Sequence, residues 1–254
     1  MVRRQRFWAV LVALAAGNTL SASVISRPQT AFRHVYALSH SGRMAIQNLY
    51  GNVSITAWDR DAVLVEAIKH STDPRRLEDA RIVVEPTADS LSIRTQYAGS
   101  DAEHPTSVEY RITVPRGINL ESVVLTNGQL SLDGLSGSVK ASAVNGDIRA
   151  LKLGGQAELS TINGQVEADF DRTSRANPIS LSSVNGPIHL TIPSGSGASV
   201  EAHNLSGGIA SDLGHVARTP AGHRLLVKGS GGAQIHVKNV NGGISIRSNE
   251  RPCT

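Results

Sequence analysis

The sequence predicts an all-β fold: a single-domain parallel β-solenoid, β-helix-like in its winding, with an irregular strand-rich N-terminal cap. Three observations carry that expectation. First, an Asn-Gly pair recurs at Asn127-Gly128, Asn145-Gly146, Asn163-Gly164, Asn185-Gly186 and Asn241-Gly242, and the first three pairs lie 18 residues apart. A fixed period means that one supersecondary unit is copied along the chain. Second, apolar residues alternate with polar ones at fixed offsets from each Asn. Three residues on stand Leu130, Ile148, Val166, Ile188 and Ile244; five on stand Leu132, Ala150, Ala168, Leu190 and Ile246. Val139 and Ala157, then Ala141 and Leu159, repeat the alternation twelve and fourteen residues on, the period of two that marks strands with one buried face. Third, opposite charges stand one period apart, Lys140 with Glu158 and Arg149 with Glu167. Spacing alone also admits an antiparallel meander in which Asn-Gly is a hairpin turn. The charge pairs favour the stack, where residues one period apart sit side by side.

Each unit therefore reads as two short strands joined at Asn-Gly, with a Gly-rich second turn such as Asp133-Gly134-Leu135-Ser136-Gly137 or Gly154-Gly155. Both turns are expected to use the positive φ that Gly and Asn tolerate. A single unit cannot bury its own apolar face, so neighbouring units must share a core and backbone hydrogen bonds.

In chain order, residues 1–23 read as a signal peptide. Arg3, Arg4 and Arg6 form a basic start, Phe7 to Gly17 an apolar run, and Ser21-Ala22-Ser23 a cleavage site. The mature chain is expected to begin near Val24. The apolar run is short for a span, so no stable membrane span is expected after cleavage. No Cys follows it to take a lipid anchor. Residues 24–120 form the cap. Its short strands include Val53 to Ala57, Val63-Leu64-Val65, Ile82-Val83-Val84, Leu91-Ser92-Ile93 and Tyr110 to Val114. A helix is expected from Asp73 to Ala80, with Asp73 as N-cap and Pro74 as its first residue. Residues 121–250 hold the solenoid repeats. Asp212 to Gly222 breaks the pattern and reads as a looped-out insertion, after which Ala233 to Arg247 resumes it.

Charge narrows the partners. The chain has 25 Lys+Arg and 21 Asp+Glu, but three Arg lie in the export segment, leaving 22 against 21. With no long basic run in the mature part, nucleic acid is not an expected partner. The sole cysteine, Cys253, cannot form an internal disulfide and reads as an incidental tail residue.

No catalytic, cofactor-binding or metal-ligating residue is assigned, and no cofactor is expected. The nine histidines, His34, His40, His70, His104, His189, His203, His215, His223 and His236, show neither H-x-x-x-H nor H-E-x-x-H spacing. His189 and His236 stand beside apolar strand positions and should face solvent. Asp147, Asp169 and Asp171 lack the regularity of calcium-binding repeats and read as surface acids. No G-x-S-x-G elbow occurs. A glycan-active β-helix would want paired carboxylates and aromatic platforms, yet the mature aromatics are Phe32, Tyr36, Tyr50, Trp58, Tyr97, Tyr110 and Phe170, with none afterwards.

Three stretches carry a family resemblance. Leu49-Tyr50-Gly51-Asn52-Val53-Ser54-Ile55 followed by Trp58-Asp59, then Ile112-Thr113-Val114-Pro115, and the copies of Leu159-Ser160-Thr161-Ile162-Asn163-Gly164 resemble the putative-adhesin β-repeat domains of bacteria, with their repeated T-x-N-G-x-I strands. The resemblance runs from about Ala45 to Arg247. It implies a β-solenoid, an envelope or extracellular location and no assigned enzyme activity, and it supplies no site residues to transfer. The expectation is a non-enzymatic exported β-repeat module, periplasmic or secreted, that meets an envelope or surface partner (protein or glycan) as adhesins do. An accessory of envelope-stress sensing, or a glycan-active enzyme, are the alternatives.

Overall fold

The computed structural model describes residues 29–98, 106–219 and 222–249. The segment expected to direct export, with its expected cleavage point before Val24, and His104 and Cys253 lie outside them. Two sheets, sheet A of ten strands and sheet B of eleven, face each other across one apolar core. Strand β1 (Gln29–Ala37) is followed by the first rung, β2 (Arg43–Tyr50) in sheet B and β3 (Val53–Trp58) in sheet A. Then come β4 (Ala62–His70), a 3-10 helix at Pro74–Asp79, β5 (Ala80–Pro86) and a second rung, β6 (Ser90–Tyr97) with β7 (Ser107–Pro115). The regular rungs are β8 (Asn119–Asn127) with β9 (Leu130–Asp133), β10 (Val139–Asn145) with β11 (Ile148–Leu153), β12 (Ala157–Asn163) with β13 (Val166–Phe170), and β14 (Ile179–Asn185) with β15 (Ile188–Pro193). The chain closes with β16 (Ser199–Ser206) and β17 (Ile209–Ser211), the pair β18 (Val216–Thr219) and β19 (Gly222–Val227), and a last rung, β20 (Gln234–Asn241) with β21 (Ile244–Asn249).

Rung pairs with rung in parallel, and equivalent positions stack. Val139 faces Ala157, which faces Ile179; Ile148 faces Val166, which faces Ile188. All six are buried. This register removes the hairpin meander. It also forms both expected ion pairs, Lys140 Nζ to Glu158 Oε2 at 3.1 Å and Arg149 Nε to Glu167 Oε2 at 3.3 Å. Both pairs are exposed and contribute about 0–1 kcal/mol each, so they report register more than they supply stability.

Spatial order departs from chain order at both ends. Rung β6/β7 lies outside β2/β3, and β8/β9 lies inside it. The cap is therefore built partly of rungs like the rest, with antiparallel β4 and β1 extending sheet A and antiparallel β5 extending sheet B. At the far end β20/β21 inserts between β14/β15 and β16/β17. The segment read as a looped-out insertion is instead partly strand: β18 pairs with β19, and β19 pairs antiparallel with β16. Its reason is visible in Leu225, fully buried on β19, which closes this end of the core.

The expected helix forms as a 3-10 turn. Asp73 caps it by accepting the Arg75 N–H at 2.9 Å, Pro74 opens it, and Leu77 is its buried anchor. Six residues with one buried side chain supply little to hold a longer helix.

The corners correct the expected turn geometry. Gly128, Gly186 and Gly242 have φ of 149°, 148° and 132°, but Gly146 and Gly164 are not among the positive-φ residues. What all five share is crowding. A Cβ on Gly128, Gly146, Gly164, Gly186 or Gly242 would collide with the carbonyl oxygen of Gly51, Gly128, Gly146, Gly164 or Gly186 respectively. Stacked corners need the space of a missing side chain more than they need an unusual φ.

Candidate interaction surface

The corner column has two polar layers. On the outside the asparagines form a ladder. Asn145 Nδ2 donates to Asn127 Oδ1, Asn163 to Asn145 and Asn185 to Asn163, each at 2.9 Å, and Asn241 donates to Asn185 at 3.0 Å. Tyr50 and Ser206 occupy the equivalent positions at the two ends. On the inside, the residue two before the corner position points into the core, and in four rungs it caps a glycine carbonyl. Thr161 Oγ1 donates to Gly146 O at 2.9 Å, Ser183 Oγ to Gly164 O at 3.1 Å, Asn239 Nδ2 to Gly186 O at 3.0 Å and Asn204 Nδ2 to Gly242 O at 2.7 Å. These buried side chains satisfy carbonyls that the corner turns away from the strand ladder. In the cap, Asn48 does the same for Gly51 O and Val108 O and accepts from Thr95, which is hydrogen-bonded to the Tyr110 hydroxyl at 2.8 Å. Burial pushes the Tyr110 hydroxyl up to about 12, a rise that its Thr95 bond partly opposes.

Between these layers lies the feature that sequence reasoning missed. In five rungs the residue immediately before the corner position is aliphatic and faces solvent: Val144, Ile162, Val184, Val240 and Leu205 are 37%, 46%, 39%, 36% and 61% exposed. They account for five of the seven exposed large hydrophobics among the described residues, and the rung register sets them in one column along the outer face of sheet B. The signal was present in the pattern. With Ala141 and Ala143 facing inward, a period of two turns Val144 outward.

Two further columns flank the aliphatic ridge. Ser142, Ser160 and Ser182 stack in register two residues before it and leave a shallow trough. Lys238 and His203 continue that column past the serines. A groove of about 360 Å³ opens where ridge and trough meet β20 and β16, lined by Ser182, Val184, His203, Leu205, Lys238 and Val240 among others. Beside it Glu201 gathers three basic side chains: His203 Nε2 lies 3.0 Å and Arg224 Nη2 2.9 Å from Oε1, and His236 Nδ1 lies 3.5 Å from Oε2. His203 first, then Arg224, hold the Glu201 carboxyl below its ordinary range.

This surface offers contact chemistry. Burying the exposed parts of five aliphatic side chains would yield roughly 3–7 kcal/mol, scaling from the usual burial gain, against an association cost of about 4–15 kcal/mol. Over most of that range the ridge alone would not offset the cost of association. The serine hydroxyls and the Lys238–His203 end are the polar groups beside it that could add to such a contact.

Among the described residues no group of three or more His, Cys, Asp or Glu side chains is arranged to hold a metal ion. His189 and His236 are exposed, as expected. Asp147 serves the corner, its Oδ1 accepting the Gln165 N–H at 2.8 Å. Among the described residues no helix is long and apolar enough to cross a membrane.

Comparison with known proteins adds a family and a fold. The family model Toastrack DUF4097 matches residues 28–247. A solved structure of a putative cell adhesion protein from Clostridium sporogenes aligns over 87% of this chain and 100% of its own, with a TM-score of 0.51 at 10% identity. That likeness is one of fold. A putative adhesin from Bacteroides fragilis aligns over 87% of this chain and 97% of its own at 11% identity, with a TM-score of 0.41. No curated protein matches the chain.

Proposed function

The chain belongs to the Toastrack DUF4097 family, and on that premise we propose that it is a non-enzymatic, exported interaction module, adhesin-like in use, that works in the periplasm or at the cell surface. Its working surface is the outer face of sheet B. One observation carries the reading: the solvent-facing aliphatic column of Val144, Ile162, Val184, Val240 and Leu205. Contiguous exposed apolar surface on a soluble domain marks a contact site, and the repeat keeps it continuous across five rungs. The serine trough and the Lys238–His203 end supply the polar contacts that orient a partner. The export-type N-terminus supports the location.

The triple variant Ile162→Ser/Val184→Ser/Val240→Ser tests this. All three side chains face solvent, so its thermal melt should match the wild type within a few degrees. Its capture of envelope components, measured against wild type on the same extract, should fall at least tenfold. Undiminished capture by a well-folded variant would refute this face as the contact site.

A further inference from the structure

Four strands end the two sheets: β1 and β17 in sheet A, β18 and β5 in sheet B. An open edge presents unpaired N–H and C=O groups, and folded proteins blunt such edges with shortness, charge or proline. Three of the four are blunted. Strand β17 has three residues and β18 has four, while β5 carries Arg81, Glu85 and Pro86. Strand β1 is different. It runs nine residues, pairs with β4 over all nine without a bulge, and contains no Pro, Gly, Lys, Asp or Glu. Its one charge, Arg33, is held by Glu66 at 2.9 Å. Each face carries large apolar side chains beside one basic residue, Arg33 on the outer face and His34 on the inner. Val35 is 55% exposed on the outer face. Phe32 and Tyr36 pack against the end of the core but stay half-covered. The half-cover follows from the topology: beyond rung β6/β7 sheet A continues for two strands and sheet B for one.

We propose that β1 pairs with the β1 strand of a second copy of this chain, antiparallel about a two-fold axis at His34, joining the two A sheets into one. The backbone sets which residues can meet. Leu38 N–H donates to Asp61 O in continuation of the β1–β4 ladder. Even-numbered residues of β1 therefore bond to β4, and Ala31, Arg33, Val35 and Ala37 turn their N–H and C=O groups to the open edge. Every two-fold register centred on a residue of β1 satisfies that parity. Centring on Phe32 sets Tyr36 beyond the start of the second copy's β1 and leaves that ring uncovered, and centres nearer the strand ends overlap less. Centring on Arg33 would set two guanidinium groups directly opposite, which is destabilising. Centring on Val35 shortens the overlap. Centring on His34 pairs Ala31 with the second copy's Ala37 and Arg33 with its Val35, forming about eight main-chain hydrogen bonds. It also sets Phe32 opposite the second copy's Tyr36 in the close, non-hydrogen-bonded pairing, and covers the rings that each copy leaves half-exposed. A second copy is the favoured occupant because the strand is complementary to itself: the pairing closes on itself and leaves only blunted edges.

The experiment is sedimentation equilibrium on the purified exported protein over a range of micromolar concentrations, with three variants. Wild type should be dimeric. Val35→Pro removes an edge-facing N–H that β4 does not use, and should weaken the dimer at least tenfold. Val35→Lys places a second cation opposite the other copy's Arg33 and should weaken it similarly, whereas Val35→Glu should leave the dimer as tight or tighter. A monomeric wild type, assemblies larger than two, or a dimer indifferent to Val35→Pro and Val35→Lys would each overturn the proposal. A dimer that Val35→Glu weakens as much as Val35→Lys would overturn the His34 register. The sheet B triple variant should remain dimeric, so this result and the proposed contact face stand or fall separately.

Discussion

Gly164 and Gly243 sit at corners two rungs apart and should respond oppositely to one added methyl group. At Gly164 a Cβ would collide with the backbone carbonyl of Gly146, while nothing lies within 4 Å of a Cβ on Gly243. In Gly164→Ala the rungs of Gly146 and Gly164 must part, because the obstacle is main chain and cannot rotate away. Overpacking of this kind costs about 1–3 kcal/mol. The same movement strains the bond from Gly146 N–H to Asn163 O and the Thr161 bond to Gly146 O, both 2.9 Å, at roughly 0.5–1.5 kcal/mol each. The sum is about 2–6 kcal/mol, or a fall of roughly 4–24 °C in melting temperature for a domain of this size. Gly243→Ala meets no obstacle and should be neutral or gain about 0.4–1 kcal/mol by restricting the unfolded chain. Differential scanning calorimetry of the two variants beside wild type measures this directly. Since crowding and not φ governs Gly164, Gly164→Asn should be about as costly as Gly164→Val. Equal melting shifts for Gly164→Ala and Gly243→Ala would refute the stacked-corner account.

Two other outcomes test the register and the buried tyrosine. Lys140→Cys/Glu158→Cys, made with Cys253→Ser, should form an intramolecular disulfide under mild oxidation, because the paired positions lie about 4.8 Å apart across adjacent strands; a monomer with two free thiols by mass spectrometry would contradict the register. Tyr110, held near 12 by burial, ionises in the unfolded chain near pH 10. Its contribution is therefore full below about pH 10 and fades as pH rises toward 12, so wild-type melting temperature should drop through that window more than that of Tyr110→Phe, and parallel curves would rule out the linkage.

The rung was legible because stacking imposes its own period. Residues that must lie side by side, such as Asn145 and Asn163 or Lys140 and Glu158, return at the spacing of one coil, and the inward set at Ile148 and Val166 alternates as any one-sided strand must. The order of rungs in space was not legible. Strands β16 and β20 carry the same inward alternation, so no local pattern says which of them lies beside β14. The exposed ridge was overlooked for a different reason: Val144 and Ile162 are residue types whose commonest place is the core, and only their parity says otherwise. The Asn-Gly dipeptide misled in a third way. It is a strong signal for positive φ in hairpins, yet at Gly146 and Gly164 the same two residues answer to the ladder and to the crowding of carbonyls. No contact face was predicted because its parts are ordinary surface serines and aliphatics until the rungs align them.

The placement of β20/β21 inside β16/β17 bears on how the protein is made. A chain leaving the ribosome can add β8/β9 through β14/β15 one behind another, each new rung docking on the last. When β16 emerges, its final neighbour does not yet exist, and the vacant edge of β14 is the place open to it. Strand β16 is a close imitation of β20: both set an Asn two residues before the corner, Asn204 and Asn239. They differ at the next step, where β16 offers Ser206 and β20 offers Asn241, whose amide reaches Asn185 at 3.0 Å. Early docking of β16 would leave that rung of amides unextended. In the folded protein β20 holds the place beside β14 and β16 lies outside it, so during synthesis that place must stay open, or be vacated, until β20 is made.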